Sequence, residues 1–379
     1  MLRSEKVRLF DWYGEIRHVS KRHDLTNVKI LTAMWKFGPR NLLEVSRRTG
    51  IPFTSVYHRV RKLESETGRV AYLVPQVSRL GLVHLTVQAA AKPGREEKIT
   101  RALKIPGWWQ SISACEPPIT HHSTHAVPVK FVNDFRKYLR RLIQTGLATQ
   151  LRVIPTGDPY PNFPNFSRYD PSAKSWSFEW RQWLSTLKRR AVSKTIEDPT
   201  DYRTTADRRD LLIVRELQKN ARATFAEMGP VLGISLQGVK YHFDKKLVPS
   251  GIVKYFGFDI TPYPHDLSAA HQILLSFTNR TCLNRFFSSL NEMFFIQDVA
   301  KVLKSNSLLA RTYVPQNQVP RMFSLFSELA KERVLQTYSA VRLGAPEAER
   351  QTVQPGLFVD QKGWMFDSRK YNSDLSKLR

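Results

Sequence analysis

The chain repeats itself. Asp24 to Val70 aligns on Asp207 to Val253 without a gap, at an offset of 183 residues and with ten identities that include Asp24/Asp207, Glu44/Glu227, Gly50/Gly233, Val56/Val239 and Gly68/Gly251. That distance is too long for a solenoid unit, so it implies duplication of a whole domain. Val28, Leu31 and Met34 stand opposite Leu211, Val214 and Leu217, the three-to-four spacing of one helix face. A second helix opens at Asn41 with Glu44 three residues on, and at Thr224 with Glu227, both spaced as capping boxes. Gly50 and Gly233 then supply the stop and reversal of a short helix. A third helix starts near Phe53 and near Leu236, with Val56, Val60 and Leu63, or Val239, Phe243 and Leu247, facing inward. Gly68 and Gly251 end it, and "RVAYLV" and "IVKYFGFDI" predict a two-stranded wing in each copy. Helix, helix, glycine turn, helix and wing is the layout of a winged helix-turn-helix.

The pattern that follows also recurs. "LVHLTVQAAA", "REEKITRALK", "GWWQSISACE", "HSTHAVPVK", "FVNDFRKYLRRLIQTG" and "ATQLRVIP" read β-α-β-β-α-β, and the stretch from "HQILLSFT" to "TYSAVRLG" gives the same order. This is the ferredoxin-like arrangement. Trp176, Phe178, Arg181 and Trp183 keep register with Trp364, Phe366, Arg369 and Tyr371, so each unit ends in an aromatic tail. Each tail is expected to pack on its own unit's sheet. The fold class is therefore α+β, two tandem units, each a winged helix-turn-helix followed by a ferredoxin-like (βαββαβ) sandwich. Residues 1–75 hold an N-terminal extension and the first winged helix-turn-helix, and 80–190 the first sandwich with its tail. Residues 191–260 hold the linker and second winged helix-turn-helix, and 266–379 the second sandwich with its tail.

Charge narrows the partner. With 59 Lys+Arg against 33 Asp+Glu the net charge is +26, and residues 1–190 hold 33 basic and 14 acidic side chains. Such an excess points to a polyanionic partner or an acidic surface, most commonly nucleic acid, and with the helix-turn-helix layout to double-stranded DNA. Two cysteines, Cys115 and Cys282, are too few for a disulfide framework, no apolar run is long enough to cross a bilayer, and the first residues lack the apolar core of a signal peptide. A cytoplasmic protein with no membrane contact is expected. No Gly-rich phosphate loop, nucleophile elbow or HExxH occurs. Cys115 with His121, His122 and His125 matches no structural zinc spacing. Neither catalytic residues, metal nor cofactor is expected.

On the first recognition helix the outward set is Thr54, Ser55, Tyr57, His58, Arg61 and Lys62, with Arg59 at the margin. Hydroxyls and Arg read base edges or hold phosphates. In the second copy the matching set is Gln237, Gly238, Lys240, Tyr241, Asp244 and Lys245, where Asp244 replaces Arg61 and repels a polyanion. Arg47, Arg48 and Arg69 are expected to add phosphate contacts. Two linked recognition helices suit successive major grooves, as those of a two-fold dimer do.

"TADRRDLLIVRELQKNARATFAEMGPVLGISLQGVKYHFDKKLVPSGIVKYF" resembles the helix-turn-helix of the leucine-responsive regulator (Lrp/AsnC) family, from the leading Asp to the Gly that opens the wing. The first copy is a looser match, with Pro52 where the family usually has Ser. The resemblance implies a sequence-specific DNA-binding transcription regulator with a small-molecule effector at the sandwich interface. That family normally carries one unit per chain and dimerises, so two units imply an intramolecular pseudo-dimer, with further homo-oligomerisation left open. Siroheme decarboxylases are similar in joining such a helix-turn-helix to a ferredoxin-like domain. They supply the enzyme alternative, for which His84, His121, His122 and His125 would have to line a sandwich cavity. A non-specific architectural DNA-binding protein is the third reading.

Overall fold

The computed structural model describes residues 24–163, 165–170, 175–259, 267–344 and 349–378. The N-terminal extension read from residues 1–23 lies outside them. Helices α1 (Leu25–Phe37), α2 (Leu42–Thr49) and α3 (Phe53–Thr67) form the first triplet, followed by strand β1 (Ala71–Val74). Ile30, Met34, Val45, Val56 and Val60 are wholly buried between the three helices, which is the face that the apolar spacing predicts. Gly50 closes α2 in the left-handed region (φ 68°) with its N–H on Ser46 O. Asn41 caps α2 by accepting from the Glu44 N–H, but the Glu44 carboxylate turns to Arg48, so only half of the expected capping box forms.

The first sandwich runs β2 (Leu82–Ala91), α4 (Glu96–Lys104), β3 (Trp109–Ala114), β4 (His121–Pro128), α5 (Val132–Gln144) and β5 (Ala148–Thr156), then the short β6 (Tyr160–Pro161) and the tail helix α6 (Trp180–Leu187). The second unit supplies α7 (Arg208–Lys219), α8 (Phe225–Leu232), α9 (Leu236–Tyr241), β7 (Tyr255–Phe258) and β8 (Ser268–Phe277). It continues with α10 (Arg280–Ser288), β9 (Ile296–Val302), β10 (Ser307–Pro315), α11 (Val319–Lys331), β11 (Leu335–Leu343), β12 (Glu349–Arg350) and α12 (Ser368–Ser376). Here the Thr224/Glu227 box is complete. Helix α9 is shorter than its counterpart, because His242–Leu247 continues as a π-helical turn.

Among the described residues, neither wing strand pairs within its own unit. Strand β1 pairs antiparallel with β7 of the other unit, Tyr72 opposite Gly257 and Leu73 opposite Phe256. A side chain at 257 would meet the Tyr72 ring at 2.4 Å, so the glycine is what lets the ladder close. The expected pair of separate wings is thus one shared two-stranded ladder. The sandwich sheets join in the same reciprocal way, in the order β11-β8-β10-β9-β5-β2-β4-β3-β12. Val302 pairs with Thr156 at one junction, and Cys115 bridges Leu343 at the other. The sheet therefore closes on itself, with its helices outside and a space inside, which leaves few open strand edges.

The tails correct the sequence expectation. Trp183 and Leu187 of α6 are buried with Phe286, Phe326 and Leu329 of the second sandwich, not the first. Trp364 packs on Trp108 of the first sandwich (5.5 Å between ring centroids) and donates to Leu80 O at 2.6 Å, while Tyr371 of α12 meets Tyr138 of α5. Trp176, the partner of Trp364 in the repeat, has a side chain outside the described set. The second helix-turn-helix shares a core with the first sandwich and second tail, whereas the first packs on Phe163, Phe166 and Tyr169 of its own tail segment. Each sandwich is thereby held by the other unit's tail.

The two helix-turn-helix domains also clamp each other. Arg222 meets Glu64 at 2.5 Å, with both side chains about nine-tenths buried. Arg40 donates to Ala221 O and Ala223 O, and its guanidinium lies over the Phe225 ring at 4.7 Å. Burial lowers the Arg40 pKa to about 10, with Arg222 adding to the shift. Trp364→Ala is expected to cost about 3–5 kcal/mol in chemical denaturation and to alter the near-ultraviolet signal of Trp108. A loss below about 1 kcal/mol would remove the tail from the first sandwich's core.

Candidate nucleic-acid interface and central cavity

On α3, Thr54, Ser55, Tyr57, His58, Arg61 and Lys62 are all exposed, on the face opposite Val56, Val60 and Leu63. Arg61 receives help in staying extended: its Nε donates to Tyr57 Oη at 3.3 Å, and Glu64 lies 3.6 Å from Nη1. The Tyr57 hydrogen bond, with weaker attraction from Glu64 and from Glu227 of the other unit, raises the Arg61 pKa, so its charge is permanent. Arg47 and Arg48 are exposed on α2, the latter bonded to Glu44 and stacked over Phe37. In the second copy Gln237, Lys240, Tyr241 and Lys245 are exposed, and Asp244 attracts Arg40 across the contact between the two helix-turn-helix domains.

Two of the expected contacts sit elsewhere. Arg59 is tied to Asp24 at 2.6 Å and Asn27 at 3.0 Å, bracing α3 against the start of α1. Arg69 turns inward: it meets Asp259 at 2.6 Å, donates to Gln218 O at 2.8 Å and lies 4.4 Å from the Tyr72 ring centre. It locks the wing ladder to α7. The residue that sequence reasoning missed is His242. It is buried as the counterpart of Arg59, its Nδ1 meeting Asp210 at 2.6 Å, while Lys246 reaches Asp207 and Asp210 at 2.6 and 3.0 Å. Asp207, Asp210 and His242 are close enough to hold a cation, and the Lys246 ammonium already supplies one.

Inside the closed sheet, under the β1–β7 ladder, lies a cavity of about 870 Å³. His84, Thr86, His122 and Thr124 line it from the first unit, and Gln272, Asp298 and Arg311 from the second. The cross-strand pair Thr86–Thr124 faces its counterpart Gln272–Arg311, so the two walls differ chemically. His84 Nε2, His122 Nε2 and Arg311 Nε are buried without a hydrogen-bond partner among the described residues. Three orphan polar atoms in one space are costly unless a ligand or water completes them. Burial, reinforced by Arg311, pushes His122 down to about 4. Burial also lowers His84, against an opposing pull from Asp158. Asp298, 2.5 Å away, holds Arg311 charged. His84 pairs with Ala126 and His122 with Gln88, which sets the imidazoles four residues apart along β2, about 13 Å. They mark two ends of a slot rather than one chelate.

His121 and His125 do not join them. Strand alternation turns both to the helical layer, where His121 bonds Thr100 and Thr120, and His125 bonds Ser123 and rests on Phe135. Cys115 has its thiol pushed up to about 12 by burial. A zinc set of Cys115, His121, His122 and His125 cannot converge from opposite faces of one sheet.

Residues 207–254 match the family model described as winged helix-turn-helix DNA-binding. No curated protein matches the chain in sequence. Among solved structures, the siroheme decarboxylase NirDL is similar with a TM-score of 0.52 at 11% identity, over 92% of this chain and 97% of that one. The same enzyme in complex with an iron-uroporphyrin III analogue gives 0.51 over the same shares at 11% identity. E. coli AsnC matches 38% of this chain and 97% of its own, with a TM-score of 0.29 and 14% identity. No helix among the described residues is long and apolar enough to cross a membrane.

His122 takes up a proton less readily folded than unfolded, so between pH about 6.5 and about 4 the unfolded chain binds more protons and stability falls as pH is lowered. His125, at about 3, and His271, at about 4, add to the same fall. In His122→Gln the acid loss measured by denaturation should shrink by roughly 3 kcal/mol. An unchanged pH profile would mean that His122 is already solvated in the native protein.

Proposed function

We propose that the protein is a sequence-specific DNA-binding transcription regulator in which two helix-turn-helix domains of one duplicated chain act as a built-in dimer. The observation that carries this reading is the outward face of α3, where Thr54, Ser55, Tyr57, His58, Arg61 and Lys62 stand exposed on a helix fixed to its neighbour by the buried Arg222–Glu64 ion pair. Hydroxyls, an imidazole and a braced Arg on one face can read base edges, while Arg47 and Arg48 hold phosphates. Fusion removes the concentration dependence of pairing and lets the half-sites diverge. Asp244 in place of Arg61 makes the second helix the weaker reader. The cavity beneath the wing ladder is where a small-molecule effector would sit, because Arg69 connects its wall to α7.

The unpartnered nitrogens of His84 and His122 favour a second reading, a tetrapyrrole enzyme of the siroheme-decarboxylase kind. They would suit an iron or a ring substituent. The charges of the lining suit it poorly: Arg69, Arg311 and Arg350 are balanced by Glu66, Asp259 and Asp298, leaving little net attraction for a macrocycle fringed with carboxylates. No reaction step is assigned to it.

Selection from a randomised duplex pool at two salt concentrations should enrich two unequal half-sites about one helical turn apart. Arg61→Asp should lose that motif and at least ten-fold in affinity. Binding without sequence preference, indifferent to the variant, would support an architectural protein instead. Addition of siroheme or haem should give no new visible band, and a stoichiometric band abolished by His84→Ala would support the enzyme.

A further inference from the structure

The recognition helices account for little of the protein's charge. Residues 24–75 carry 9 basic and 4 acidic side chains, whereas residues 76–190, the first sandwich and its tail, carry 18 and 7. Part of that excess faces solvent on α5, where Arg140 and Arg141 are exposed and form no ion pair among the described residues. Helix α12 of the second tail lies alongside, through Tyr138–Tyr371 and Phe131–Phe366, and adds exposed Arg369 and Lys370. The same tail reaches the second helix-turn-helix: Asp360 accepts the Arg208 N–H at 2.9 Å, and Arg208 and Arg209 are exposed at the start of α7. Lys246 joins that end of α7 to the recognition helix through Asp207. One cationic band therefore runs from the second recognition helix over α7 and α12 to α5.

Its acidic residues are engaged locally. Asp134 pairs with Lys137 and Asp374 with Lys377, while Asp360 and Asp367 accept backbone N–H groups. The exposed aromatic rings of the described residues, Phe37, Phe53, Tyr57 and Tyr241, all lie on the helix-turn-helix domains and none on the α12–α5 part of the band. A surface of cations without stacking rings suits the phosphates of a duplex rather than unpaired bases.

We propose that this band is a second DNA-contact face: the duplex seated on the second recognition helix continues over the α7 N-terminus and is held by phosphate contacts from α12 and α5. The proposal rests on the DNA-binding reading above. It places sequence-independent attraction in the lobe whose recognition helix carries Asp244, so the weaker reader is backed by the stronger clamp.

The test is the full-length quadruple variant Arg140→Gln, Arg141→Gln, Arg369→Gln, Lys370→Gln, four exposed sites whose neutralisation leaves the cores intact, with circular dichroism as the check on folding. The plot of log affinity against log salt should flatten by about three to four units. The hydroxyl-radical footprint should shorten only beyond the second half-site, and the selected motif should not change. An unaltered slope and footprint, with Arg61→Asp still losing the motif, would sink the band and leave the regulator standing. Failure of the unaltered protein to bind any duplex sinks both. Preferential binding of single-stranded RNA, lost in the quadruple variant, would assign the band to a different polyanion and overturn the proposal.

Discussion

After each recognition helix the described chain has one wing strand, and one strand cannot satisfy its own row of N–H and C=O groups. The structure meets this need by pairing β1 with β7, and much else depends on that ladder. It sets the two helix-turn-helix domains side by side, where Arg222 can bury against Glu64 and Arg40 can cap the Ala221–Ala223 turn. It also roofs the space inside the closed sheet. Because Gly257 lies directly under Tyr72, with the Arg69 guanidinium close to the same ring, the ladder has little freedom to shift register without disturbing both α7 and the cavity wall.

The exchange of tails follows the same logic at larger scale. The outer helices of a ferredoxin-like sandwich leave apolar surface that a short aromatic tail can cover, and covering the other unit's sandwich adds contacts between units that self-covering would not. Lys301 of the second sandwich meets Asp198 of the linker at 2.5 Å, and Asn162 donates to the carbonyls of Leu290, Met293 and Ile296, so the segments between domains are bonded in as well. A dimer of separate chains would depend on concentration to make these contacts. One chain makes them at a fixed effective concentration.

How much of this was legible in the sequence depends on whether the deciding force was local. The three-helix layout and the outward face of α3 came from the spacing of Val56, Val60 and Leu63 and from Gly50, all local signals that the structure bears out. The repeat of β-α-β-β-α-β was legible for the same reason. Partner choice was not: apolar alternation says that β1 and the aromatic tails must be covered, but carries no term for which unit covers them. The grouping of His121, His122 and His125 ignored the period of two that a strand imposes, and that rule alone would have separated His122 from its neighbours. Arg69 read as a surface cation because its carboxylate, Asp259, lies 190 residues away. His242 was hidden for the same reason, because its carboxylate, Asp210, lies 32 residues away on α7.

Two units in one chain need not present the same residues to the site between them. In a dimer of identical chains every cavity residue appears twice, related by the two-fold axis. Here one wall presents neutral imidazoles and threonines, and the other Gln272 with the Arg311–Asp298 pair. The two walls of that space therefore offer different chemistry. The outer faces of the two helix triplets differ likewise, Arg61 in one standing where the other has Asp244. Arg69 connects the two asymmetric regions by touching the cavity wall, the ladder and α7 at once.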